Sequence, residues 1–466
     1  MPSHKPVTAI FDIGKSNKKF LLFDEDYAVI EKHQTKLEQT VDDDGDPCED
    51  LERLETWIKF QFQKAQKKYE IQALNFSAYG ASFVHIDKNG QPVTPLYNYL
   101  KNFPEELLDQ FYKSVGGREK FALETASPPM GMLNSGLQLY WLKYQKPEIF
   151  KKIKNSLHLP NYLSYLFTGK SISELTSIGC HTGLWNFDEM DYHSWVRKEK
   201  VQSLLPNPQP VTEIVEKNGV KIGPGIHDSS AALAPYLIGL NDLFMLISTG
   251  TWSITLNPFN DEPLTFKELE KDCLCYLDIF GNQVKASRLF LGAEYSHQKK
   301  KIYQHFSVND KGPWMNSDVD LLNRLIETQK NEKRLELEEA YNSGPFPQKK
   351  AGDWQLDHFS SAKEAYHQLM LDLVSIQAES IKLAEGSKNI DKLIVTGGFS
   401  QNDLFVSLLA SFFPDRNIYT AKLSDASALG AAMVVNNMAV HLEQKEKLKT
   451  LLGFKRHWPI KRLTKK

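Results

Sequence analysis

Apolar runs broken by short polar turns open the chain. "VTAIFDI" and "KFLLFD" read as adjacent strands joined by a polar turn, and "YAVIEKHQT" offers a third. The period then lengthens. Leu51, Leu54, Ile58 and Phe62 recur at helical spacing within "CEDLERLETWIKFQFQKAQKKY". "IQALNFSAYG" returns as a strand, and "SFVHIDKNGQPV" predicts a hairpin with Asn89-Gly90 at its turn. Three strands, a helix and another strand predict an α/β layered domain with a mixed sheet.

From Asn134 to Leu166 the pattern turns mostly helical, with Leu137, Tyr140, Trp141 and Tyr144 set on one face. A second strand cluster begins near "LFMLISTGTWSITL". Ser361 and Glu364 fit a capping box that opens a helix over 361–385. Its apolar stripe is Tyr366, Leu369, Leu373 and Ile376, and Gly386 supplies a stop. "DKLIVTGG" is then a strand entering a glycine turn, and "DLFVSLLASFF" a helix. The charged stretch "ETQKNEKRLELEEAYNSGPFPQKK" reads as surface helix and loop. No short repeat occurs, but each half carries a strand ending in a polar, glycine-containing turn, "FDIGKS" and "LISTGTWS". The boundary is expected in "YLIGLNDLF", giving domains over 1–240 and 241–466.

Composition narrows the partners. A chain of 466 residues is too long for one ordinary core, and 41% hydrophobic with 24% charged residues is a globular balance. A formal net charge of -2 gives no electrostatic reason for nucleic acid or an anionic membrane as partner. The basic tail "KRHWPIKRLTKK" is the local exception and reads as a solvated, frayed terminus. The four cysteines, Cys48, Cys180, Cys273 and Cys275, lack the spacing of a zinc site and read as reduced thiols. Asp12 interrupts the only early apolar run, so no signal peptide is expected, and no stretch approaches the ~20 apolar residues of a bilayer span. A cytoplasmic address is the expectation.

Five segments carry candidate chemistry. In Asp12-Ile13-Gly14-Lys15-Ser16-Asn17-Lys18-Lys19, Gly14 permits close backbone approach, Ser16 and Asn17 offer hydrogen bonds, Lys19 offers charge for a phosphate, and Asp12 suits a cation. An ordinary polar hairpin turn is the alternative. In "LISTGTWSITL", Thr249, Gly250 and Thr251 either cradle a phosphate or form a plain β-turn. In "GIHDSSAAL", Asp228 either caps a helix or acts as a general base. In "IVTGGFSQNDLF", Gly397 and Gly398 open a strand end against which a flat ring can lie, and Asn402 begins a helix; a plain connection serves equally. In "SDASALGAAM", close helix packing suffices as an explanation.

The order of these signals resembles the FGGY family of carbohydrate kinases over nearly the whole chain. Within it, "YGASFVHIDKNGQPVTPL", and "HDSSAAL" followed about 20 residues later by "STGTWS", are similar to the L-rhamnulose and L-fuculose kinase branch. The resemblance implies an α/β fold of two actin-like (ribonuclease H-like) domains, each a mixed sheet flanked by helices, with an interdomain cleft. The N-terminal domain would hold most of the sugar site and the C-terminal domain ATP. Asp12 would sit near Mg2+ and the transferred phosphoryl group. Gly14, Ser16, Asn17, Lys19, Thr249, Gly250 and Thr251 would line the phosphates, and Gly397, Gly398 and Asn402 the adenosine. Asp228 would be the catalytic base, with His227 beside it on the substrate.

Two departures bear on the sugar. The branch carries an acid where this chain has Ser82, and many members carry Asp-x-Arg where this chain reads "LYNYLKNF". Tyr79, Ser82, Asn98 and Tyr99 would then make the sugar contacts. Lys19 stands where arginine is usual. The resemblance thus implies ATP-dependent phosphorylation of a small-molecule sugar, a deoxyketohexose first and a ketopentose or other polyol second, by a monomer or homodimer. A non-catalytic sugar or nucleotide sensor is the alternative of a different class.

Overall fold

A computed structural model describes residues 5–328, 340, 343–344, 356–423, 425–437 and 442–460. They form two compact units. The first takes in residues 1–241, 275–283 and 425–449, and the second 242–274, 284–424 and 450–466.

The first unit begins with the expected strands, β1 (Pro6–Ile13), β2 (Lys18–Phe23) and β3 (Val29–Thr35), a consecutive antiparallel set. Helix α1 (Leu51–Gln66) follows, its first turn capped by the Asp50 side chain, which accepts from the Arg53 N–H at 3.0 Å. Strand β4 (Glu70–Ala78) then pairs parallel with β1. β1 lies between β2 and β4, and every residue of it but Pro6 is buried. That is why its sequence is nearly continuous in apolar residues instead of alternating. Phe11 stacks on Phe76 at 5.7 Å and packs edge-on to Trp57 of α1 at 5.8 Å.

The "SFVHI" segment forms β5 (Phe83–Ile86), and Gly90 takes the left-handed conformation (φ +78) that its turn requires. The expected hairpin forms but is short: the Asp87 N–H donates to the Gln91 carbonyl and the Val93 N–H to the His85 carbonyl, both at 2.9 Å, around the single bridge Ile86↔Pro92. The longer ladder of β5 is made with a strand about 70 residues on. Helix α2 (Gly136–Gln145) buries Leu137 through Leu142 on all sides and leaves Tyr144 exposed, so the expected single apolar face is corrected. The helical stretch is also interrupted by β6 (Asn155–His158), the antiparallel partner of β5, before α3 (Leu159–Thr168). Strands β7 (Val215–Lys217), β8 (Val220–Ile222) and β9 (Ile226–His227) complete the sheet, in the order β7-β8-β4-β1-β2-β3 with β9 also on β4. Helix α4 (Asp228–Gly239) leaves β9 directly.

The second sheet repeats the plan. β10 (Met245–Thr249) and β11 (Ser253–Asn257) form an antiparallel hairpin, extended by β12 (Cys273–Leu277) and β13 (Gln283–Leu289). After α5 (Leu291–His305) comes the long α6 (Ala362–Ala384). Ser361 caps α6 by accepting from the Glu364 N–H at 3.2 Å, but the Glu364 carboxylate reaches back to the Ser360 N–H at 2.7 Å, one residue short of a true box. Gly386 ends the helix with φ +70. β14 (Lys392–Gly397) pairs parallel with β10, and α7 (Asp403–Phe412) and β15 (Asn417–Thr420) follow. Tyr366, Leu369, Leu373 and Ile376 are buried as expected, among many others on α6.

Helix α8 (Ala426–Val435) returns to the first unit, and β16 (Lys455–His457) closes the second sheet against β15. The start of the basic tail is therefore a strand, not a frayed end; residues 461–466 lie outside the described residues. Of the charged stretch, Glu327 and Thr328 end a helix, and most of the remainder likewise lies outside the described residues. The four cysteines are buried thiols outside any disulfide. Among the described residues no helix is long and apolar enough to cross a membrane.

Candidate active site

In the first unit, β1 and β2 are joined by the turn that holds the first candidate. The Gly14 N–H donates to the Asn17 carbonyl at 3.0 Å, which closes the turn. Lys18 is buried beneath it. Its ammonium pairs with Glu49 and donates to the carbonyls of Gly14 at 2.9 Å and Lys15 at 3.1 Å. An ion pair taken this far out of water holds only with further hydrogen bonds, and the Tyr79 hydroxyl supplies one to Glu49 at 2.5 Å. Ser16 is exposed and Asn17 half-buried at the tip.

The period of two along β2 sends Lys19 to the opposite face from Lys18. There its ammonium lies 3.2 Å from both Asp12 and Asp425. Lys32 of β3 pairs with Asp425 at 2.8 Å, and the Ser427 hydroxyl donates to Asp12 at 2.9 Å. Burial depresses the Lys19 pKa, but the two carboxylates outweigh it and hold it above the ordinary value. Two acids and two lysines thus share one patch, assembled from β1, β2, β3 and the start of α8.

Asp228 stands at the first turn of α4. The capping alternative is not realised, because His227 occupies the cap position and no side chain caps the helix. The Ser229 hydroxyl donates to Asp228 at 3.3 Å. About a third of the Asp228 side chain meets solvent (34%). Burial of the remainder, then the negative charge of Asp12, raises its carboxyl from 3.8 to about 7. His227 is held neutral by burial, with its pKa lowered to about 4, and its Nε2 lies 3.1 Å from Cys180 Sγ and 3.3 Å from Asp228. Tyr276 packs edge-on to the His227 ring at 5.7 Å. A carboxyl near half-ionisation at neutral pH is suited to accept a proton.

The residues expected to touch sugar have mixed standing. Tyr79 is buried with its hydroxyl committed to Glu49, so only its ring is on offer. Tyr99 packs on that ring at 6.0 Å, and its own hydroxyl pKa is raised by burial and then by the charge of Asp228. Asn98 accepts from the Leu100 N–H at 3.1 Å and donates to the Pro47 carbonyl at 3.1 Å. Ser82 is buried.

In the second unit, Thr249 ends β10 and locks two strands. Its hydroxyl donates to the Thr396 carbonyl at 2.5 Å and accepts from the Phe399 N–H at 3.0 Å. The Gly250 N–H donates to the Trp252 carbonyl at 2.7 Å, and the Thr251 carbonyl accepts the N–H groups of Gly292 and Ala293 at 3.1 Å. Gly397 takes φ +81, and a Cβ there would come within 1.8 Å of the Thr249 carbonyl, so only glycine fits. A cavity of about 870 Å³ opens beside these turns. Gly250, Gly398 and Asn402 line it together with Tyr295, Lys299 and Tyr366. Asn402 caps α7 by accepting from the Phe405 N–H at 3.1 Å, and it donates to the Tyr366 hydroxyl at 3.0 Å. The size, the glycine-lined wall and the aromatic side chains suit a nucleoside.

Sequence reasoning missed Asp425 and Ser427, which sit inside a segment read only as packing. That packing is real: a Cβ on Gly430 would come within 1.9 Å of the Ala231 carbonyl, so α8 and α4 are in close contact there. An acid and a serine at a small-residue helix start were the available signal. Tyr295, Tyr366 and Lys299 gave none, since they lie on helices remote from any motif.

A sheet in which an antiparallel hairpin meets a parallel strand, built twice with helices against it, defines a two-domain α/β protein of actin-like fold. Residues 7–214 match the FGGY family of carbohydrate kinases, N-terminal domain, and residues 241–444 match carbohydrate kinase FGGY, C-terminal domain. The chain belongs to the FGGY family of carbohydrate kinases. A rhamnulokinase of Halalkalibacterium halodurans is 27% identical over 259 residues, covering 52% of each chain. One of Oceanobacillus iheyensis is 25% identical over 222 residues, covering 44% of this chain and 46% of the relative. The chain therefore spans about half the length of the curated relatives it matches. The fold is shared with a carbohydrate kinase from Novosphingobium aromaticivorans (TM-score 0.80, 21% identity, 97% of both chains). It is shared too with a ligand-bound xylulose kinase from Lactobacillus acidophilus (TM-score 0.80, 16% identity, 98% of this chain and 94% of the other).

Proposed function

We propose that the protein transfers the γ-phosphoryl group of ATP to a hydroxyl of a small sugar. The observation that carries this reading is the Asp228 carboxylate, uncapped at the first turn of α4, about a third open to solvent and flanked by His227 and Ser229, in a chain of this family; burial and the charge of Asp12 raise it to about 7. Asp228 accepts the hydroxyl proton as that oxygen attacks phosphorus, with His227 Nε2 3.3 Å from its Oδ1. The domain over 1–240 supplies the acceptor site and the base. The domain over 241–466 supplies the nucleotide cavity, where Gly397, Gly398 and Asn402 hold the adenosine and Thr249, Gly250 and Thr251 the phosphates.

Asp12 fits a magnesium ion. Its carboxylate is buried against cations, and a divalent charge would relieve the repulsion with Asp228 that the raised pKa records. Bound there, the ion would neutralise the charge of the phosphates. Gly14, Ser16 and Asn17 form the turn that meets the phosphoryl group, and Lys19 holds Asp12 in place and lends it charge. The acceptors to try first are deoxyketohexoses such as L-rhamnulose and L-fuculose, supported by the names of the curated relatives; ketopentoses and other polyols come second. A screen of L-rhamnulose, L-fuculose, D-xylulose, L-ribulose, D-fructose and glycerol, with the acids D-gluconate and D-fructuronate beside them, with ATP and magnesium tests the reading. It fails if no acceptor of either charge raises ADP release above the acceptor-free rate. A sugar or nucleotide sensor would instead show ligand-induced thermal shifts without turnover.

A further inference from the structure

Three lysines lie in the first hairpin turn or at the start of the strand after it, and two of them are neutralised. Lys18 pairs with Glu49, and Lys19 with Asp12 and Asp425. The Lys15 ammonium has no carboxylate partner among the described residues. It lies 5.3 Å from the centre of the Tyr79 ring, 4.8 Å from that of Tyr99, and 3.4 Å from the Asn98 side-chain oxygen. Aromatic faces attract a cation without cancelling its charge, and a contact of 3.4 Å is at the weak limit of hydrogen bonding. Burial pushes the Lys15 pKa down, which Glu49 offsets only in part. Glu49 already accepts from the Tyr79 hydroxyl and pairs with Lys18. A half-buried cation left uncompensated is costly unless something arrives to pair with it.

Its direction says what arrives. Lys19 turns to Asp12 and Asp425, whereas Lys15 turns to Tyr79, Tyr99 and Asn98, the residues assigned to the acceptor. Tyr99 also feels the charge of Asp228, so the cation and the base bear on one ring. We propose that Lys15 determines acceptor specificity by pairing with a carboxylate on the acceptor, so that a polyhydroxy acid is used better than the neutral compound of the same skeleton. This rests on the kinase reading and ranks the acid above the neutral ketose. It also accounts for "LYNYLKNF" lacking the acid and arginine of its relatives: the cation comes from the hairpin turn instead.

The test compares D-fructuronate with D-fructose, and D-gluconate with D-glucitol, under saturating ATP and magnesium. In the wild type, kcat/KM for the acid should exceed that for its neutral partner by about tenfold or more. Lys15→Met should cut that ratio by about 10- to 100-fold, the worth of a charged hydrogen bond, while KM for ATP stays within about threefold. Lys15→Arg should retain most of the preference, and 0.5 M KCl should shrink it. Lys15→Gln serves if the methionine variant fails to fold. The inference alone is overturned if neutral acceptors are preferred and the ratio ignores residue 15 while turnover continues. It is also overturned if the variants raise KM for ATP and not for the acceptor. If no acceptor of either charge elicits ADP, the kinase reading falls and this inference with it.

Discussion

Replacing Asp228 with asparagine should separate function from stability in opposite directions. The native carboxyl titrates near 7, against 3.8 when unfolded. Between those values the folded chain holds a proton that the unfolded chain has released, so stability falls as pH rises from about 4 to 7. Above pH 7 the whole cost of keeping a buried carboxylate ionised is present. The full shift corresponds to ~4 kcal/mol; screening by the solvent that reaches 34% of the side chain brings this to ~2 kcal/mol. A neutral amide at this position carries no such cost. Asp228→Asn should therefore melt higher than the wild type at pH 8, with roughly two fifths of that gain left at pH 5. Turnover should drop by about 10²- to 10⁴-fold, as loss of a general base requires. Paired melts at both pH values and a coupled ADP assay read the two effects on one preparation. A near-normal rate in the variant, or a melting difference that does not grow with pH, would refute the reasoning.

Three further outcomes follow from the same geometry. With magnesium and ATP saturating, kcat/KM for the acceptor should fall between pH 8 and pH 5 by at most about 90-fold, the change in ionised fraction of a group near 7, and by less in so far as magnesium at Asp12 offsets the charge that raises it; a flat profile would assign the proton elsewhere. Lys19→Met leaves Asp12 with the Ser427 hydroxyl but without its cation and should lower turnover by about 100-fold or more; Lys19→Arg should restore much of it, and equal loss in both would make the lysine merely structural. Thr249→Val strips the acceptor from the Phe399 N–H and should cost about 1–3 kcal/mol while raising KM for ATP; an unchanged melt and KM would detach this turn from the nucleotide.

Much of the frame was legible because each signal was local. The run "AIFDI" could only be a covered strand, and Asn402, Ser361 and Gly386 mark helix ends by chemistry confined to a few residues. Pairing over distance was not legible. Nothing near Phe83 announces that its partner is His158. Nothing around Lys18 in the sequence shows that it is buried; only the fold places Glu49 against it. Asp12 and Asp228 were visible as acids in turns, but the raised pKa of Asp228 arises from burial and from a charge 216 positions away in the chain. The small residues of α8 spoke for packing, and that signal masked Asp425 and Ser427 at its start.

The claim that matters is that phosphorus moves from ATP to the acceptor. 31P NMR of the protein with ATP, magnesium and the acceptor panel follows it directly. A new phosphomonoester resonance should grow in step with ADP, present only with an acceptor and lost in Asp228→Asn. ADP formed without acceptor and accompanied by free phosphate alone, or no ADP with any acceptor of either charge, would contradict phosphoryl transfer to a sugar.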